Sequence, residues 1–128
     1  MGKTSRDKGK VGERELAGYL REYGYECKRG VQYCGKTGAA DVIGLPGIHI
    51  ECKRVERLNI EDAMAQSRRD ARADEIPVVM HRRNNCKWLV TMDLEQWMKL
   101  FREYDVSHLP FTEKGEDDDD REHINHNV

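Results

Sequence analysis

The stretch from Asp41 to Lys53, DVIGLPGIHIECK, constrains the fold more than any other part of the chain. Pro46-Gly47 is a turn signal between two apolar runs, so the stretch is expected to fold back as an antiparallel hairpin. That hairpin sets Asp41 opposite Glu51. Side chains alternate faces along a strand. His49, Glu51 and Lys53 therefore share one face, and Ile48, Ile50 and Cys52 the other. Two carboxylates and one ammonium converge at the open end of an otherwise apolar ribbon. Clustered carboxylates repel unless a cation lies between them, and oxygen ligands of this kind suit Mg2+ or Mn2+. A lysine beside such a cation can orient water or stabilise charge on a phosphate oxygen. The combination fits metal-assisted phosphodiester hydrolysis.

An acid two residues before a lysine is cheap in a chain with 36% charged residues, where roughly 1.7 such triplets arise by chance. Two are present, Glu26-Cys27-Lys28 and Glu51-Cys52-Lys53. The first reads as a partly exposed strand with solvated charges. Only the second has an acid at the mirrored position of a hairpin. Its plainer reading is a surface ion pair on an ordinary strand, and the rest of the chain must decide.

A chain of 128 residues suggests one domain with a real core. No apolar run approaches the roughly 20 residues of a membrane-spanning helix. The start, MGKTSRDKGK, has no apolar segment behind it, so no secretory signal is expected. Arg6 stands where a myristoylation motif wants Ser or Thr. The four cysteines, Cys27, Cys34, Cys52 and Cys86, make no CxxC pair, and His81 alone adds too little for a zinc site. Three of them fall on expected strands and read as buried thiols of a reduced, intracellular protein.

Charge is unevenly placed. Residues 105–128 hold eight acids against Lys114 and Arg121, a net of −6; the whole chain carries −2, so the first 104 residues carry +4. A basic body with an acidic tail is compatible with nucleic-acid binding.

Residues 1–10 read as a mobile basic arm. A helix is expected from Val11 to Tyr23, closed by Gly24 as a C-cap, with Leu16, Ala17, Leu20 and Tyr23 inward. Glu13 lies one turn before that stripe, where an acid is costly unless paired or bound to a cation; its alternative role is to complement the helix N-terminus. Tyr25–Val31 reads as a strand, and a glycine-marked loop leads to Asp41 and the hairpin. Asn59 and Asp62 resemble a capping box for a helix over 60–74, with Ile60, Ala63, Met64 and Ala71 inward and Gln66 near the edge of that face. Strands follow at Ile76–Met80 and Cys86–Thr91, across a basic turn. Asp93 and Gln96 look like a second capping box, opening a helix from Leu94 to Tyr104 that buries Leu94, Trp97, Met98 and Phe101. From Asp105 onward periodicity is lost, and the run Glu116–Asp120 is expected to be disordered. The order α-β-β-β-α-β-β-α implies an α/β fold, a mixed central sheet flanked by helices, with the main domain over 11–104.

These residues carry a resemblance. A helical Glu, then an Asp, then Glu-x-Lys in this element order resembles the PD-(D/E)xK nuclease superfamily and its restriction-endonuclease-like core. Lys8-Gly9-x-x-x-Glu13-Arg14-Glu15-Leu16 resembles the start of archaeal-type, Hjc-like Holliday junction resolvases. The likeness spans about residues 6–101. It implies that Asp41 and Glu51 ligate Mg2+, with Mn2+ able to substitute, helped by the carbonyl of Cys52 and completed by Glu13. It implies that Lys53 positions the attacking water, that Arg14 lies near the scissile phosphate, and that Gln66 is a further catalytic position. Ala40 replaces the proline of the superfamily name. The turn Arg82-Arg83 and the segment Lys87–Val90 look more like resolvase-like nucleases of bacterial viruses.

The resulting expectation is a Mg2+-dependent DNA endonuclease, resolving four-way junctions as a homodimer. A nuclease for another DNA structure, such as a flap or single strand, and a non-catalytic DNA-binding module are the alternatives. The DNA-binding face is expected to draw on Arg6, Lys8, Lys10, Arg14, Arg29, Lys36, Arg54, Arg57, Arg82 and Arg83.

Overall fold

The turn at Leu45–Ile48 closes as the sequence requires. In the computed structural model, which describes residues 5–31 and 39–109 and side chains from residue 9 onward, the Ile48 N–H donates to the Leu45 carbonyl at 3.1 Å. Gly47 adopts φ +81, the left-handed value that a type II turn demands after its proline.

The elements run α1 (Ser5–Arg21), β1 (Lys28–Arg29), β2 (Val42–Ile43), β3 (Ile48–Arg54), α2 (Ile60–Asp70), β4 (Ile76–Arg82), β5 (Leu89–Met92) and α3 (Leu94–Ser107). This is the expected order. The strands form one mixed sheet, ordered β1-β2-β3-β4-β5. Only β3 and β4 are parallel, with Ile48 beside Ile76 and Lys53 beside His81. The connection between them is the crossover through α2, as a parallel pair needs.

Alternation along β3 and β4 feeds two cores. Ile50 and Cys52 join Leu16, Ala17, Cys27, Val42 and Val78 in a cluster on the α1 side. Val79 meets Ala63 and Met64 of α2, flanked by Leu58 and Ile60. The sheet thus lies between α1, packed on β1–β3, and α2, packed on β3 and β4. Gly12 lets α1 come down on the end of β3, since a Cβ there would lie 2.6 Å from Arg54 Cβ.

Several boundaries differ from expectation. α1 begins at Ser5, so most of the expected arm is helix. Lys and Arg are good helix formers, and one glycine costs only about 1 kcal/mol, too little to stop extension of a formed helix. Gly24 takes φ +95 and caps α1 as expected. β1 has two residues rather than seven, because the Cys27 N–H turns back to the Tyr25 carbonyl at 2.9 Å. α2 stops at Asp70; Ala71 is extended, and the Glu75 carboxylate takes the Arg72 N–H at 2.9 Å. Asn59 caps α2 as read, its side chain accepting from the Asp62 N–H at 3.1 Å. Asp93 spends its carboxylate elsewhere, accepting a two-pronged contact from Arg68 at 3.0 and 2.6 Å.

Among the described residues, those up to Trp97 form one compact unit and those from Met98 a second. In the second, Tyr104 stacks on Phe101 and on His108, with centroids 5.9 and 4.1 Å apart. The expected burial of Leu94, Trp97, Met98 and Phe101 is not met, as α3 has no buried residue. An apolar stripe states what a face prefers, not what covers it. Among the described residues no helix is long and apolar enough to cross a membrane, and the free thiols Cys27 and Cys52 are buried, with Cys86 half-buried. Cys34, Lys36 and the acidic run lie outside the described residues.

Candidate active site

The register Val42↔Ile50, carried one step outward, sets Asp41 across from Glu51. Three backbone contacts fix Asp41 there. Its N–H donates to the Ile50 carbonyl at 2.9 Å, and its carbonyl accepts the Gly30 N–H at 2.8 Å. Its Oδ2 accepts the Cys52 N–H at 2.9 Å. Gly30 permits this approach, for a Cβ there would strike the Ala40 carbonyl.

Glu51 is 1% exposed. Its Oε1 lies 3.1 Å from His49 Nε2, while its Oε2 is buried without a partner. Burial and then the charge of Glu51 push the Asp41 carboxyl up to about 7; the Cys52 N–H opposes, and a hydrogen bond with the Glu51 carboxyl and the charge of Glu13 add in the same direction. Burial and the charge of Asp41 and Glu13 also push the Cys52 thiol up. Two acids thus sit side by side, Glu51 buried and Asp41 partly so, with the His49 ring against Glu51. Among the described residues no lysine or arginine pairs with either. Lys53, on the Glu51 face, instead donates its Nζ to Gln66 Oε1 at 3.2 Å.

Glu13 is a neighbour of this pair and not part of one tight cluster with it. Arg29 holds its Oε1 at 2.9 Å, and among the described residues no three His, Cys, Asp or Glu side chains gather closely enough to hold a metal. The pair still fits a hard cation. Mg2+ is usually held by one or two carboxylates, completed by water and substrate phosphate, and the unpartnered Glu51 Oε2 is an oxygen free to serve.

His49 itself is 1% exposed. Its Nδ1 lies 3.6 Å from Glu75 Oε1. The hydrogen bond to Glu51 raises its pKa, against the effect of burial. The period-2 pattern of β3 puts His49 on the Glu51 face, yet nothing in composition or spacing marked it as a partner.

The expected basic face is partly self-neutralised. Arg54 Nε donates to Glu15 Oε1 at 2.9 Å, and Arg82 Nη1 lies 3.4 Å from the same oxygen. Arg82 Nε also donates to the Cys86 carbonyl at 2.6 Å. Arg14, Arg57 and Arg83 are exposed and Lys10 is half-buried. The Lys8 side chain and Lys36 lie outside the described residues. Sequence reading missed Glu15 as a hub, because its partner Arg54 is 39 residues away and no local signal links them.

Comparison with known proteins adds a family. The model of the family described as "Phage putative PDDEXK endonuclease" matches residues 4–127. No curated protein matches. Among solved structures, that of Hjc from Archaeoglobus fulgidus, a Holliday junction resolvase from an archaeal hyperthermophile, is similar to this chain. The TM-score is 0.46 at 19% identity, covering 64% of this chain and 74% of that one.

Proposed function

This chain belongs to the phage PDDEXK endonuclease family, and from that premise we propose a Mg2+-dependent DNA endonuclease that resolves four-way junctions as an intracellular homodimer. The observation that carries the metal is the buried, unpartnered Glu51 Oε2 beside Asp41, whose carboxyl is pushed up to about 7 by burial and by Glu51. An acid pair of this kind has two ways to settle, by taking a proton or by taking a cation.

Asp41 and Glu51 would hold the ion, with the carbonyl of Cys52. The chemistry Mg2+ supplies when bound is Lewis-acid polarisation of a phosphoryl oxygen. The chain's own groups do the rest. The Cys52 N–H fixes the rotation of Asp41, and the carboxyl, which hydrogen-bonds Glu51 while it keeps its proton, would turn to the ion once that proton is lost. Gln66 holds the Lys53 ammonium on the Glu51 face, where its remaining protons can orient the attacking water and stabilise charge on the phosphate. Glu13, kept in place by Arg29, adds negative charge at the rim of the site. Arg14 and the other exposed cations anchor the DNA backbone, which fixes position without reading sequence.

The test is a cleavage assay on a four-way junction, a duplex and single-stranded DNA, with and without Mg2+. Asp41→Asn and Glu51→Gln are each expected to abolish cleavage and to retain most DNA binding, since binding rests on cations that neither change touches. Cleavage by either variant, in a preparation free of contaminating nuclease, would overturn the site. Equal cutting of duplex and junction would leave a nuclease and remove the resolvase.

A further inference from the structure

We propose that His49 is a positioning residue for the metal site, holding the Glu51 carboxylate in its ligating rotation; this rests on the functional reading above. Four observations carry it. His49 and Glu51 stand two residues apart on β3, so alternation puts both on the α2 face. Both are 1% exposed. The His49 Nε2 to Glu51 Oε1 separation is 3.1 Å. The second Glu51 oxygen is buried and has no partner.

An ionised carboxylate can only accept, so in the charged, ligating form of Glu51 the ring nitrogen that meets it carries the hydrogen. That bond occupies Oε1 and stops rotation about the last torsion of Glu51, a soft two-fold torsion in a free side chain. Oε2 is left as the oxygen available to a cation. The imidazole is itself held. The Glu75 carboxylate lies 3.6 Å from its second ring nitrogen, so each ring nitrogen faces a carboxylate, while Ser67 Oγ on α2 lies 3.5 Å from the His49 carbonyl and steadies the strand beneath the ring. A side chain seated on both sides transmits position and not merely bulk. Groups that orient ligands in this way typically change metal affinity or activity by about 10–100-fold when removed.

Mn2+ binding to the DNA-free protein, read by electron paramagnetic resonance, tests this without reference to turnover. In His49→Gln the amide nitrogen reaches the place of Nε2 and keeps the donor. In His49→Asn it lies nearer the place of Nδ1, on the Glu75 side, and the donor to Glu51 is lost. His49→Leu fills the space and donates nothing. His49→Gln is expected to bind Mn2+ within about 3-fold of the parent, and the other two about 10–100-fold more weakly. Should the leucine variant fail to fold, the contrast between Gln and Asn carries the test alone. Packing by itself would move the melting temperature of these variants and leave their Mn2+ affinities alike. Parent-like Mn2+ affinity in His49→Asn or in folded His49→Leu overturns the role of His49 while leaving the metal site standing, provided Asp41→Asn has lost Mn2+. Absence of Mn2+ binding in the parent protein would overturn both.

Discussion

At the scale of single residues, the acid pair has a consequence for stability that is independent of DNA. The Asp41 carboxyl, at about 7 in the fold against an ordinary 3.8, holds its proton longer in the folded chain than in the unfolded one. Between those two values the folded state binds more protons, so stability falls as pH rises through the window. Each pH unit of that window is worth at most about 1.4 kcal/mol, and the part of the group that water reaches lowers the figure, so the loss is on the order of 3 kcal/mol. His49, also raised, adds the same sign above the usual histidine range. The melting temperature of the protein in chelator should therefore drop from pH 5 to pH 8, Mg2+ should restore much of the loss at pH 8, and Asp41→Asn should flatten most of the slope. A parent protein as stable in chelator at pH 8 as at pH 5 would show that the pair is not strained. Much of this site was legible beforehand, because period-2 alternation and one Pro-Gly turn suffice to place Asp41, Glu51 and Lys53. The Arg29–Glu13 pair and the His49–Glu51 bond were not, since each depends on side-chain directions that no periodicity encodes.

At the scale of elements, two glycines of one helix give opposite expectations. Gly9 and Gly12 both lie within α1, where alanine is favoured by about 1 kcal/mol. A Cβ on Gly9 meets nothing within 4 Å, whereas one on Gly12 comes within 2.6 Å of Arg54 Cβ. Gly9→Ala should therefore stabilise by about 0.5–1 kcal/mol, and Gly12→Ala should destabilise by about 1–3 kcal/mol as α1 is levered off β3. Chemical denaturation of the two variants checks the pair of signs; a stabilising Gly12→Ala would mean that α1 does not seat on β3 as described. The order of elements and the central hairpin were legible because each rests on a local signal, the helical stripe of α1 or the cap at Asn59. The ends were not. α1 runs to Ser5 because arginine and lysine extend a helix that burial of Leu16 and Ala17 has already secured, and β1 shrinks because its pairing with β2 is a long-range matter. The apolar stripe of α3 shows the same limit, for periodicity names a face and cannot say whether anything lies on it.

At the scale of the whole molecule, the proposed reaction sets a requirement on assembly. Resolving a four-way junction takes paired cuts on two symmetry-related strands, and one chain offers a single constellation of Asp41, Glu51 and Lys53. The resolvase reading therefore needs two copies related by a two-fold axis, the commonest closed symmetry. Their preference for a junction must come from the spacing and angle of the two sites, because backbone contacts carry no sequence information. Among the described residues, several of the expected cations are already paired. Glu15 engages Arg54 and Arg82 and Glu13 engages Arg29, leaving Arg14, Arg57 and Arg83 as the exposed arginines of the expected face among the described residues. Affinity for plain duplex should accordingly be modest and fall steeply with salt, while junction binding, which gains from two sites acting together, should survive an excess of duplex competitor. Sedimentation of the free protein and of its junction complex, alongside mapping of cuts on junctions labelled on each strand, tests both the assembly and the substrate. The expected result is a dimer in both states with cuts on opposed strands and little sequence dependence. A monomer on DNA that nicks one strand at a time would keep Asp41, Glu51 and Lys53 as a nuclease centre and would assign it to a substrate with one scissile strand, such as a flap.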